Sequence, residues 1–126
     1  MLYPAIFTLD QETKSVDVRF PDLPEAITFG NNLEHAHEMA QEVLGLVLED
    51  YSEYPQATPI QELKKQYPDS DIALVAIDML AYKKKYQSKK VRKNVTIPEW
   101  LNELAEEHNI NFSQVLTEAL ELKLHV

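Results

Sequence analysis

The last 36 residues limit the fold most, because they form a unit too small to bury a core alone. Residues 91–97, VRKNVTI, alternate between apolar and polar side chains except at Lys93, as a strand with one wet face does. Two short amphipathic helices follow, one opened by Pro98 and one that Asn111 can cap. The strand has no partner within this unit. Two copies that pair their strands antiparallel and interlock their helices would solve both problems, so the sequence predicts a two-fold dimer.

Charge is distributed unevenly along the chain, which carries 21 acidic and 12 basic side chains and a net charge of −9. Residues 1–80 hold 15 acidic and 4 basic side chains, a net charge of −11. Residues 81–97 hold seven basic side chains and no acidic one, whereas residues 98–126 hold six acidic and one basic. An acidic first part attracts a basic protein and repels nucleic acid, and the basic segment does the reverse. Two partners of opposite charge are therefore expected.

The first 80 residues predict an α+β domain with the order β-β-β-α-(α)-β. Its long helix has one apolar stripe and a capping asparagine, Asn31 or Asn32, and its short helix has Thr58 as N-cap and Pro59 at the first helical position. Pro4 favours a strand start or an edge for the first strand. The proline-rich residues 20–25, FPDLPE, predict a loop. The expected strands span residues 5–10, 15–20, 26–30 and 72–77, and the long helix spans residues 32–52. The last strand is apolar on both faces, so we expect it to be central and fully buried.

Several functional classes are not indicated by the sequence. There is no cysteine, no apolar run of the roughly 18 residues that span a bilayer, and no signal peptide at the start. We therefore expect a cytoplasmic protein with no membrane partner. Neither a phosphate-binding glycine loop nor a metal-ligand spacing is present, so the sequence predicts no cofactor, no metal and no catalytic residue.

Residues 94–120, NVTIPEWLNELAEEHNINFSQVLTEAL, resemble a ribbon-helix-helix DNA-binding domain. In that family, paired strands enter the major groove of double-stranded operator DNA and alternate residues read base edges. By this resemblance the reading residues are Arg92, Asn94 and Thr96. Arginine can bind guanine bidentately, asparagine can bind adenine, and threonine can donate, accept or contact a methyl group. Thr96 has an alternative role, because with Glu99 it could form a capping box for the first helix.

The same resemblance implies phosphate contacts on either side of the strand. Lys89 and Lys90 directly precede it, and their charge suits phosphates. The family also holds phosphates at the N-terminus of its second helix, here the backbone amides of Phe112 and Ser113. Residues 83–85, three lysines, fit a phosphate contact and a solvated linker equally well.

Residues 3–51 resemble the N-terminal domain of HicB antitoxins in their Tyr-Pro-Ala start, their Val-x-Phe-Pro-Asp-Leu-Pro loop and their Thr-x-Gly-x-x-Leu-Glu-x-Ala helix entry. The resemblance implies a partial ribonuclease-H-like domain over residues 1–80 and a ribbon-helix-helix domain over 91–126. Residues 81–90, AYKKKYQSKK, lack apolar periodicity and predict a basic linker or a helix tail between the two domains. The resemblance further implies an antitoxin that blocks a HicA-type ribonuclease toxin and represses its own operon. The proline-bounded loop is expected to expose Phe20, Asp22 and Leu23, which makes them candidate toxin contacts, and a plain strand connection is the alternative.

Two other functions remain open on the sequence alone. The first is a stand-alone ribbon-helix-helix transcriptional regulator whose N-terminal domain senses a small ligand. The second is a metal-dependent nuclease using Asp10, Asp17 and Asp78, which lie in or beside strands. Aspartate on a wet strand face is ordinary, so we interpret the chain as a binding protein and not an enzyme.

Overall fold

Two separate units make up the computed structural model, which describes all 126 residues. The N-terminal unit is Met1–Lys89 and the C-terminal unit is Lys90–Val126. The N-terminal unit contains β1 Leu2–Leu9, β2 Val16–Phe20, β3 Leu23–Gly30, α1 Leu33–Leu48, α2 Ile60–Gln66, β4 Asp71–Ala76 and α3 Met79–Tyr86. The C-terminal unit contains α4 Glu99–Glu107 and α5 Phe112–Leu124. This set of four strands and five helices confirms the predicted α+β class.

The N-terminal unit is built on one antiparallel sheet with the strand order β3-β2-β1-β4. β1 is a central strand, although it contains Pro4, which cannot donate to a ladder. The pairing explains this position: β2 pairs with β1 only from Ile6 to Leu9, whereas Pro4 lies opposite Leu74 of β4. Pro4 therefore occupies a stretch near the start of β1 that is paired on one side only, so the strand start that the sequence predicted holds and the edge strand does not.

The prediction that residues 72–77 form a central, fully buried strand was wrong. β4 is an edge strand, and among its six residues only Val75 is buried. Leu74 is 47% exposed because it points to the sheet face opposite the main core. A short apolar run is compatible with burial on one face or on two, and only the strand order distinguishes the cases.

The main core lies between α1 and the inner face of the sheet. The α1 side chains Ala36, Ala40, Leu44 and Leu48 are fully buried, which confirms most of the predicted stripe, whereas Leu33 is exposed. They pack with side chains of all four strands, including Val18, Phe20, Leu23 and Val75. Burial of each such side chain contributes about 1.5–3 kcal/mol before entropy is counted.

β3 and α1 approach so closely that Gly30 has no room for a side chain. A Cβ atom added there would lie 2.2 Å from the backbone nitrogen of Ala36 and 2.4 Å from its Cα. Asn32 then caps α1, since its side chain accepts a hydrogen bond from the His35 amide at 2.8 Å. The cap and the close approach together fix how α1 lies on the sheet.

One local prediction in the N-terminal unit needs correction. Thr58 does not cap α2, which begins after Pro59 with no side-chain cap. The Thr58 hydroxyl and amide instead both donate to the carboxylate of Asp22, which ties the start of α2 to the β2–β3 connection.

The segment predicted to be a linker or a helix tail begins as a helix. Residues 81–86 belong to α3, whose first turn is capped by Asp78.

The turn between α4 and α5 forms as the sequence predicted. Asn109 adopts a left-handed conformation with φ 54°. Asn111 caps α5 by accepting from the Gln114 amide at 3.1 Å. Asparagine tolerates the left-handed region better than most residues, so glycine is not required there.

Candidate nucleic-acid interface and protein-binding surfaces

The basic strand candidate is fully accessible in the single chain. Residues 87–98 form neither helix nor strand, and Arg92, Asn94 and Thr96 are all exposed. The intervening apolar side chains are exposed too, with Val91 at 85% and Val95 at 62%. An apolar side chain stabilises a fold only when it is removed from water. The apolar side chains of this segment therefore do not stabilise its position in the single chain.

Neither helix of the C-terminal unit has a buried residue. Apolar side chains nevertheless recur at helical spacing along both helices, as they do in helices that bury one face. The exposed ones include Leu101, Leu104, Val115, Leu116 and Leu120. An exposed apolar surface of this kind is typical of an interaction site.

The structure also bears on the competing role of Thr96. α4 starts after Pro98 without any side-chain cap, so the Thr96 hydroxyl is not used as one. The amides of Phe112 and Ser113 lie in the first turn of α5, where amides have no partner within a helix. The two amides are thus available to an external acceptor such as a phosphate oxygen.

α3, which contains the first three lysines of the basic segment, is docked on α1. The Tyr82 ring covers Gly45, where an added Cβ would lie 2.4 Å from ring carbon Cδ2. Tyr86 donates to Glu42 at 3.0 Å, and Gln87 Nε2 donates to Glu49 Oε2 at 2.7 Å. Burial, with a smaller contribution from nearby carboxylates led by Glu49, raises the pKa of Tyr82. These contacts anchor α3 within the N-terminal unit.

The β2–β3 connection does not expose the residues suggested as toxin contacts. Phe20 is 1% and Leu23 is 0% exposed, and both belong to the main core. Asp22 is half-buried and accepts the two hydrogen bonds from Thr58. The expectation that Phe20 and Leu23 are exposed was wrong, because the two strands continue almost to the turn and aim these side chains inward. The β2–β3 connection therefore contributes side chains to the core and holds the start of α2.

The carboxylates considered for metal-dependent cleavage have local structural roles. Asp10 accepts hydrogen bonds from the Glu12 and Thr13 amides, and these bonds hold the pKa of Asp10 below its usual range. Asp78 caps α3, and Asp17 lies on the exposed face of β2. No group of three or more histidine, aspartate or glutamate side chains is arranged to hold a metal ion. The geometry gives the nuclease hypothesis no support.

A surface that the sequence interpretation missed lies on β3. Ile27 and Phe29 are 66% and 60% exposed on the sheet face opposite α1. The signal was present in the sequence: residues 26–30, AITFG, contain no charged residue and only one polar side chain, which is unusual for an exposed strand.

Comparison with known proteins gives a consistent result. The sequence profile described as a HicB-like antitoxin of bacterial toxin-antitoxin systems matches residues 3–119. No curated protein matches the chain. None of the helices is long and apolar enough to cross a membrane.

Solved structures with the same fold cover nearly the whole chain. A toxin-antitoxin complex from Streptococcus pneumoniae contains a chain that is 29% identical, with a TM-score of 0.56 and 98% of each chain covered. The Burkholderia pseudomallei antitoxin HicB is 24% identical, with a TM-score of 0.52, and 99% of this chain and 97% of that one are covered. The separate N-terminal domain of that antitoxin is 23% identical, with a TM-score of 0.52, and matches 62% of this chain over 99% of its own length.

Proposed function

The chain belongs to the HicB-like antitoxins of bacterial toxin-antitoxin systems, and we propose that it neutralises a HicA-type ribonuclease toxin and represses its own operon. The observation that carries this proposal is the uneven distribution of charge along the chain. Residues 1–80 have a net charge of −11, whereas residues 81–97, directly before the helices of the C-terminal unit, hold seven basic side chains and no acidic one. The acidic stretch suits a basic protein and the basic stretch suits nucleic acid.

The proposed DNA-binding unit is a ribbon-helix-helix dimer formed by residues 91–126 of two copies. The support is the apolar surface of α4 and α5, together with a segment over residues 91–97 that has no strand partner in its own chain. Pairing of this segment with its copy would place Val95 and Ile97 against the helices. Arg92, Asn94 and Thr96 would then lie on the opposite face of the ribbon.

The proposed DNA contacts divide into two kinds. Arg92, Asn94 and Thr96 would contact base edges in the major groove, where arginine and asparagine distinguish base pairs best. Contacts to the phosphates, which position the protein without reading sequence, would come from Lys89, Lys90 and the amides of Phe112 and Ser113.

The proposed toxin-binding unit is the acidic domain over residues 1–80, with residues 81–90 leading to the DNA-binding unit. It corresponds to the partial ribonuclease-H-like domain that the family resemblance implies. A ribonuclease must attract RNA, so its surface is expected to be basic and to be drawn to an acidic protein. The proposed role is binding and involves no catalytic step.

We expect the substitution Asn94→Ala to lower operator affinity by about 1–3 kcal/mol, because a bidentate contact to a base is lost. Neutralisation of the toxin should persist, since Asn94 lies outside the N-terminal unit. A gel-shift titration with the DNA upstream of the operon measures the first effect, and growth during toxin co-expression measures the second.

Asn31→Ala is the matched control, because Asn31 is exposed in the N-terminal unit and its neighbour Asn32 provides the cap of α1. The control should bind the operator as the natural protein does. Unchanged operator affinity for Asn94→Ala would contradict the proposed ribbon.

A further inference from the structure

β3 is a sheet edge without the features that usually protect one. It pairs with β2 alone, so the other side of its backbone is free. Pro24 and an irregularity between Arg19 and Phe20 disrupt only its start. From Ala26 to Gly30 there is neither a charged residue nor a proline, although natural edges are commonly blocked by lysine, proline or a bulge. The opposite edge differs, because β4 is short, begins with Asp71 and has α2 packed against it.

The outward face of this edge is apolar. In the strand register, Ile27 lies opposite Arg19 and Phe29 lies opposite Asp17. A groove of about 500 Å³ runs along these residues, with buried Ile6 beside them. We call the exposed side chains Ile27 and Phe29, with the free edge of residues 26–30, the β3 surface. It combines unpaired backbone groups with apolar side chains that a partner could cover.

The charge of the N-terminal unit decides which partner fits. Residues 1–89 carry 15 acidic and eight basic side chains, a net charge of −7. Two copies of this unit would repel one another, whereas a basic protein would be attracted. The one cation on the outer face of β2, Arg19, lies 5.1 Å from the ring centroid of Tyr67, and Asp17 beside Phe29 is exposed. The local charge next to Phe29 is therefore negative.

We propose that the β3 surface is the docking site of the basic toxin, which adds a strand to the free edge and covers Ile27 and Phe29. This inference rests on the proposed antitoxin function and adds the location of the toxin-binding site. Strand addition supplies affinity through main-chain hydrogen bonds, and the outward side chains supply specificity. Because large buried apolar side chains dominate interface energies, Phe29 should contribute most.

The test is the affinity of full-length variants for the toxin encoded beside this chain, purified by denaturing their complex and refolding. Phe29→Lys should weaken binding about 30-fold or more, since it replaces an anchor with a like charge. Ile27→Lys should also weaken binding. Both side chains are exposed, so both variants should fold and bind operator DNA normally.

Leu74→Lys is the matched control, because Leu74 is exposed on the same sheet face at the opposite edge. It should leave toxin affinity within about three-fold of the natural value. In the toxin complex, amide hydrogen exchange of residues 26–30 should slow about ten-fold or more at groups facing the free edge.

The possible outcomes separate this inference from the proposed function. If the toxin binds the natural chain and both lysine variants equally well, the β3 surface is not the docking site, although the antitoxin function stands. If the toxin does not bind the natural chain, the proposed function itself fails. If Phe29→Lys reduces only the self-association of the full chain, measured by sedimentation, then the surface binds a second copy and the inference is overturned.

Discussion

Gly30→Ala is expected to lower the free energy of unfolding of the N-terminal unit by about 3 kcal/mol. The added Cβ would lie 2.2 Å and 2.4 Å from backbone atoms of Ala36 and 2.7 Å from the carbonyl carbon of His35. Backbone atoms of a capped helix cannot rotate away, so α1 would have to lift from β3. That movement would open the main core, because Ala36 and Ala40 are fully buried against the sheet.

Urea unfolding can be followed separately for each unit, because the tyrosines and the tryptophan lie in different units. All six tyrosines lie in the N-terminal unit and the single tryptophan, Trp100, lies in the C-terminal unit. Tyrosine near-ultraviolet circular dichroism should therefore show the loss of stability.

Gly45→Ala is the control for Gly30→Ala, since the three atoms nearest to its Cβ would all belong to the Tyr82 side chain and not to the backbone. Displacing that ring should cost about 1 kcal/mol. An unchanged urea midpoint for Gly30→Ala would show that β3 and α1 do not approach as described.

Val95→Lys is expected to abolish the dimer and to reduce operator affinity about 100-fold or more, because it places an unpaired charge in the proposed ribbon core. Val95 is 62% exposed in the single chain, so the substitution has no cost before the two copies pair. The tyrosine signal of the N-terminal unit should not change. Sedimentation equilibrium at micromolar concentration measures the loss of the dimer.

Asn94→Lys is the matched control for dimerisation, since it introduces the same charge at the neighbouring position of opposite parity. It should remain dimeric, because side chains at successive strand positions point to opposite faces. A Val95→Lys variant that is still dimeric would place the dimer contact elsewhere in the chain.

The sequence predicted best those features that depend on local patterns. Spacing of apolar residues identified the buried stripe of α1. Short polar side chains identified the cap at Asn111 and limited the cap of α1 to Asn31 or Asn32, of which the structure uses Asn32. Left-handed Asn109 followed in the same way from the break between the two C-terminal helices. Local hydrogen bonds and helical periodicity determine these features, so a single sequence contains the information.

Features that depend on strand order were predicted less well. The residues 72–77 run was assigned to the sheet centre, yet β4 lies at an edge and exposes Leu74. Leu23 was assigned to a loop, yet it pairs with Phe20 and is fully buried. The local sequence is compatible with a central or an edge strand in the first case and with a loop or a strand in the second. Contacts with residues distant in the sequence decide between them.

The candidate DNA-binding site illustrates a different limit. Alternation over residues 91–97 predicts a strand, but the segment lacks a partner in its own chain and forms no strand there. A strand requires hydrogen bonds to a neighbour, and the proposed neighbour is another copy. The β3 surface was missed for a related reason, because only the strand order reveals that β3 has a free edge.

The most direct test of the proposed function is growth of bacteria that express the product of the neighbouring open reading frame, with and without the chain itself. We expect growth arrest by the neighbour alone and full recovery when both are expressed. The Asn94→Ala variant should rescue equally well, because neutralisation is assigned to the N-terminal unit. Continued arrest despite soluble, full-length expression of the natural chain would contradict the antitoxin function and favour a stand-alone transcriptional regulator.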